Sequence, residues 1–121
     1  MSKKKALLIV DHGSRFEGAN DMLWDVVAMV KDLRPELIIE GAHMELCEPD
    51  IPAGIKACVD AGATDITVHP YMLAPGRHAT SDIPTMAKEA AAAYPEVTLS
   101  LTDCLGVDPR IGELVLERAG L

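Results

Sequence analysis

Apolar and polar positions along this chain alternate between two rhythms. Residues 6–10 form an unbroken apolar run, the pattern of a central strand covered on both faces. From about Gly18 to Arg34, the residues Met22, Leu23, Val26, Val27, Val30 and Leu33 recur at helical spacing until Pro35 stops the pattern. Residues 37–46 read as a second strand, less apolar than the first and so nearer a sheet edge. Pro49 then opens a second helix whose inner face carries Ile51, Ile55, Cys58 and Val59, with Gly62 as its stop. Residues 66–69 lie in a third strand, followed by a proline-flanked loop. Ser81 or Asp82 is placed to cap a third helix with Pro84 in its first turn, and alanines fill that helix up to Tyr94-Pro95. Residues 97–101 alternate as a fourth strand, and Asp108-Pro109 starts a last helix with Ile111, Leu114 and Val115 inward.

Strands that alternate with helices throughout are the mark of βα units and a parallel sheet. The reading is α/β, with four parallel strands between helices in the order βαβαβαβα, forming one domain over residues 1–121. That length suits a single domain, since domains commonly run ~100–150 residues. No apolar run approaches the ~20 residues needed to span a bilayer. The net charge of −8 argues against nucleic acid and anionic membranes as partners. It leaves Lys3-Lys4-Lys5 as a solvated tail. The short apolar stretch after these lysines ends in Asp11 without a small-residue cleavage pattern, so a cytoplasmic location is expected. Cys47, Cys58 and Cys104 are odd in number and lack C-x-x-C spacing, which fits neither a disulfide framework nor a zinc knuckle. Cys58 falls on a helix's apolar face, and the other two lie near strand ends.

Candidate chemistry gathers in the loops. His12 lies in Asp11-His12-Gly13-Ser14-Arg15 after the first strand, and His78 in Pro75-Gly76-Arg77-His78-Ala79-Thr80-Ser81-Asp82 after the third. Open parallel sheets place ligands at the carboxyl edge of their strands, where both loops emerge. A paired imidazole site follows, with Glu45 at the end of the second strand as a possible third member. His43 and His69 read as satisfied structural residues. No P-loop or G-x-G-x-x-G pattern implies a nucleotide. A phosphohistidine enzyme is disfavoured, because Asp11 precedes His12 and would repel phosphate.

Taken in order, His12-Gly13-Ser14-Arg15, Met44-Glu45-Leu46 with Glu48-Pro49, Gly76-Arg77-His78 with Asp82-Ile83-Pro84, and Leu105-Gly106-Val107-Asp108-Pro109 resemble the CbiX family of class II tetrapyrrole chelatases. The likeness runs along nearly the whole chain, and the length matches the family's short form, in which one domain pairs with a copy of itself. The resemblance implies a chelatase-like three-layer domain. It also implies insertion of Co²⁺ or Fe²⁺ into sirohydrochlorin, for cobalamin or sirohaem, by a homodimer. The divalent metal, Ni²⁺ included, is then a substrate and no cofactor is bound permanently. In that family, histidines matching His12 and His78 handle the metal and accept protons, and a glutamate matching Glu45 commonly shares the cleft. No family role is carried onto His69.

The chemistry suits these residues. Metal insertion requires removing two pyrrolic protons, stripping water from the ion and bending the macrocycle. Neutral imidazole is both a base near pH 7 and a ligand for cobalt, nickel, iron and zinc. An open site also lets the metal leave, where a closed four-ligand cage would hold it. Arg15 and Arg77 are candidates to grip the substrate's rim carboxylates with paired hydrogen bonds. Ser14, Thr80 and Ser81 can hold further carboxylates with N–H groups at helix starts, while Met72 and Leu73 can pack on the flat macrocycle. The alternative is a non-catalytic metal or tetrapyrrole carrier module, which would use the same residue types.

Overall fold

The computed structural model describes residues 3–121, and the first two residues of the basic amino terminus lie outside it. Strands β1 (Lys5–Asp11), β2 (Ile38–His43), β3 (Asp65–Pro70) and β4 (Thr98–Leu101) alternate with helices α1 (Glu17–Leu33), α2 (Ile51–Asp60), α3 (Ile83–Ala91) and α4 (Pro109–Ala119). All strand pairs are parallel, and the sheet order is β2-β1-β3-β4. The most apolar strand is therefore central and the less apolar β2 is an edge, as their compositions require.

Alternation along β1 splits the core in two. Ala6, Leu8 and Val10 face Ile51, Ile55 and Cys58 of α2 and Ile83 and Ala87 of α3. Ile9 faces the other way, onto Leu23 and Val27 of α1 and Ile39 of β2. The result is a three-layer α/β fold. Complete burial pushes the Cys58 thiol up to about 12, so it packs as a small apolar side chain.

Five expectations need correction. The second strand ends at His43, not Leu46, because the chain leaves the sheet over residues 44–49 and Leu46 takes a positive φ of 72°. Helix α2 begins after Pro49, where the Asp50 carboxylate accepts the Ala53 N–H at 2.9 Å and so caps it. Neither Ser81 nor Asp82 caps α3. A single π-helical turn, His78–Asp82, runs directly into α3, so the free N–H groups lie further upstream and the Asp82 carboxylate instead meets His78. The side chains of Lys3, Lys4 and Lys5 are exposed, yet the Lys4 main chain is pinned to Thr64 and Lys5 opens β1.

The fifth correction concerns α4. Asp108 does cap it, accepting the Arg110 N–H at 2.9 Å, but the helix buries nothing. Ile111 is half-buried, while Leu114 and Val115 stand 46% and 60% exposed, so the expected inward face has no partner in this chain. The reason lies in the sheet. On the face that α1 covers over β1 and β2, β3 and β4 present Thr67, His69 and Ser100, which offer little apolar surface for α4.

Candidate active site at the carboxyl edge of the sheet

Parallel strands deliver their following loops to one edge, and the sheet order sets β1 between β2 and β3. The loops after these three strands carry His12, Glu45 and His78. The two imidazoles meet edge-on, with ring centroids 4.6 Å apart and planes inclined at 73°. His12 Nε2 lies 3.4 Å from the Glu45 carboxylate, and the side chains of both residues are close to half exposed.

Hydrogen bonding fixes which nitrogen each ring presents. His12 Nδ1–H donates to the Gly13 carbonyl at 3.0 Å, which leaves Nε2 of the neutral ring with its lone pair. That lone pair faces the Glu45 carboxylate, so two acceptors oppose each other across a gap that a proton or a cation satisfies. His78 Nδ1–H donates to Asp82 Oδ2 at 2.9 Å across the π turn, again freeing Nε2. A carboxylate on the far nitrogen orients such a ring. Residues i and i+4 share a helix face, which is why a histidine at 78 and an aspartate at 82 can meet.

The β1 loop is tightly held. Asn20 accepts the Ser14 N–H at 2.9 Å and donates to the Ser14 carbonyl at 2.7 Å, while Ser14 Oγ accepts the Phe16 N–H. Gly13 has φ +89°, and a Cβ there would run into the Glu45 carbonyl oxygen. The β1 and β2 loops therefore pass in direct main-chain contact, with the Glu45 N–H donating to the His12 carbonyl at 3.2 Å. Only glycine fits that crossing.

The remaining predicted residues divide. Arg15, Arg77 and Ser81 are exposed beside the histidines, and Leu73 is 67% exposed. Met72 is half-buried and lines a cavity of about 280 Å³ together with His12, Gly13, Met22 and Tyr71. Thr80 donates its hydroxyl to the Gly76 carbonyl at 2.7 Å. It lines a separate cavity of about 590 Å³ on the other side of the His78 loop, with Pro84, Asp103 and Cys104. His69 donates to or accepts from the Thr102 hydroxyl at 2.8 Å, and burial pushes its imidazole below the ordinary value. Its ring belongs to the sheet face rather than the paired site.

Sequence reasoning did not single out Asn20, Met22, Tyr71 or the pairing of Asp82 with His78. The i, i+4 spacing of His78 and Asp82 was the one available signal. Among the described residues no three His, Cys, Asp or Glu side chains converge into a ready-made metal cage. Fold and site together define an α/β protein with two imidazoles paired edge-on and an acidic neighbour at its ligand edge.

Comparison with known proteins supplies the family. The CbiX family model matches residues 6–120, and this chain belongs to the CbiX family. It is 39% identical over 112 residues to the chloroplastic sirohydrochlorin ferrochelatase of Arabidopsis thaliana, covering 93% of this chain and 50% of that protein. It is 33% identical over 140 residues to the sirohydrochlorin cobaltochelatase of Methanococcus maripaludis, covering 95% and 97%. The crystal structure of the sirohydrochlorin chelatase SirB from Bacillus subtilis subspecies spizizenii in complex with cobalt superposes with a TM-score of 0.90 at 35% identity, over 97% of this chain and 50% of that one. The chain thus spans about half the length of several curated relatives, such as the Arabidopsis protein.

Proposed function

We propose that this protein is a sirohydrochlorin chelatase that inserts Co²⁺ or Fe²⁺ into the tetrapyrrole, working in the cytoplasm without a permanently bound cofactor. The observation that carries this reading is the edge-on pair of His12 and His78, both with Nε2 free, at the ligand edge of a CbiX-family sheet. Relatives named for iron and for cobalt insertion, and relatives solved with cobalt and with Fe³⁺, support the same chemistry.

The residues divide the work. The free Nε2 atoms of His12 and His78 take the divalent ion as its water leaves, and their open arrangement lets it go again. Imidazole and the Glu45 carboxylate then accept the two pyrrolic protons released as the macrocycle closes on the metal. Arg15 and Arg77 bind the rim carboxylates, and Ser14 and Ser81 supply further donors. Met72 and Leu73 lie against the apolar ring. Thr80, whose hydroxyl holds the loop, reaches substrate only from the far cavity.

The chain acts as one domain and as a homodimer, with no nucleic acid or membrane partner. Among the described residues no helix is long and apolar enough to cross a membrane. Two observations support the dimer. The unpartnered stripe of Leu114 and Val115 on α4 needs cover, and several relatives are about twice as long, enough for a second such unit. Replacing both Leu114 and Val115 by aspartate is expected to convert dimer to monomer in analytical ultracentrifugation. A doubly substituted chain that still sediments as a dimer places the interface elsewhere.

The function is tested by the absorbance of sirohydrochlorin with purified protein and Co²⁺, Fe²⁺ or Ni²⁺. Acceleration over the protein-free rate is expected, and its size ranks the metals. Stoichiometric binding with no acceleration would make the protein a carrier instead.

A further inference from the structure

One buried polar contact lies outside the proposed chemistry. The last rung between β1 and β2 pairs Asp11 with His43, and there His43 Nδ1 meets Asp11 Oδ1 at 2.6 Å. His43 is 1% exposed, and the Asp11 carboxylate is mostly covered, at 18%. The His43 ring also stands edge-on to Trp24 of α1, with centroids 5.8 Å apart at 90°. Among the described residues His43 is the one polar or charged side chain that is fully buried.

Such a pair is poorly explained by stability alone. Taking two charged or strongly polar groups from water costs so much that a well-packed apolar pair in their place is often neutral or stabilising. The position of the pair is more telling. Asp11 immediately precedes His12, and His43 lies two residues before Glu45. Directly beyond it the Met44 N–H donates to the Asp11 carbonyl at 2.9 Å and the Glu45 N–H to the His12 carbonyl at 3.2 Å. The side-chain contact thus locks the strand ends from which His12 and Glu45 project. A displacement of ~1 Å at reacting groups can cost 10²-fold in rate, so this lock has functional leverage.

We propose that Asp11 and His43 are positioning residues, a buried cross-strand tie that holds His12 Nε2 where it takes up the divalent metal together with His78 and keeps the Glu45 carboxylate beside it. This rests on the chelatase reading and names how its metal end is set. The tie acts on metal uptake and leaves the grip on the tetrapyrrole to the arginines.

The test compares His43→Phe, which keeps a ring against Trp24 but has no donor, with His43→Asn, which returns an N–H close to the place of Nδ1. Co²⁺ binding to the protein alone is measured by titration, alongside separate KM values for Co²⁺ and sirohydrochlorin and a thermal melt. His43→Phe is expected to weaken Co²⁺ binding and raise its KM by roughly 10–100-fold, the usual size for loss of a group that orients a metal ligand. The KM for sirohydrochlorin stays near wild type, and His43→Asn recovers most of the loss. A His43→Phe protein that melts earlier yet keeps wild-type Co²⁺ binding and KM overturns the proposal and leaves the pair a purely structural contact. If His43→Phe does not fold, Asp11→Ala against Asp11→Asn makes the same comparison from the other partner. A wild-type protein that binds Co²⁺ but inserts none would defeat the chelatase reading while the binding titration still decides on the tie.

Discussion

His78→Ala is expected to lower the rate of Co²⁺ insertion into sirohydrochlorin by roughly 10²–10⁴-fold, the range for losing a positioned proton acceptor. His12→Ala should do the same, and the fold should survive both. Each ring is close to half exposed, and truncating an exposed side chain usually changes stability by no more than ~0.5 kcal/mol. A combined variant should lose little more than either single one, because residues that act as a unit are not additive. Asp82→Asn gives an intermediate test. The amide keeps the shape of the side chain but weakens the hold on His78 Nδ1, and a loss of about 10–100-fold is expected. Circular dichroism and the absorbance assay on the same preparations check these outcomes. A His78→Ala protein with an undiminished rate would remove that residue from the site.

Much of the fold was legible because each element carried one unambiguous signal. The apolar run at residues 6–10 placed β1 centrally, and Pro35, Gly62 and Asp108-Pro109 marked helix ends by local chemistry that tertiary contacts did not override. The candidate histidines were legible too, since strand order alone brings the loops after β1 and β3 together. What escaped depended on partners distant in sequence. The amphipathic pattern of α4 states that one face wants cover but not whether the same chain provides it, and here it does not. Asp82 looked like a cap because a capping residue and an i, i+4 partner have the same side chain, and the π turn upstream decided between them. His43 was read as a satisfied core residue, and it is one, but its partner escaped. Its contact with Asp11, 32 residues away, exists only once β1 and β2 are in register.

Gly13→Ala is expected to be the most damaging single methyl group that the site can receive. Alanine pays about 1–2 kcal/mol for a left-handed backbone that glycine adopts freely, and φ at Gly13 is +89°. The added Cβ also collides with the Glu45 carbonyl oxygen, a main-chain atom that cannot rotate away. Relief requires the β1 and β2 loops to part, which breaks the bond from the Glu45 N–H to the His12 carbonyl and widens the 3.4 Å gap between His12 Nε2 and the Glu45 carboxylate. We therefore expect a loss of stability of about 2 kcal/mol or more in urea denaturation, together with a rate at least ~10²-fold down even in the folded fraction. Gly76→Ala is the matched control, because a Cβ there meets nothing within 4 Å and its backbone needs no left-handed conformation. If Gly13→Ala proved as active and stable as Gly76→Ala, the close crossing of the two loops would have no part in placing the metal. If it loses both, the distance between His12 and Glu45 is set by the absence of a side chain between them.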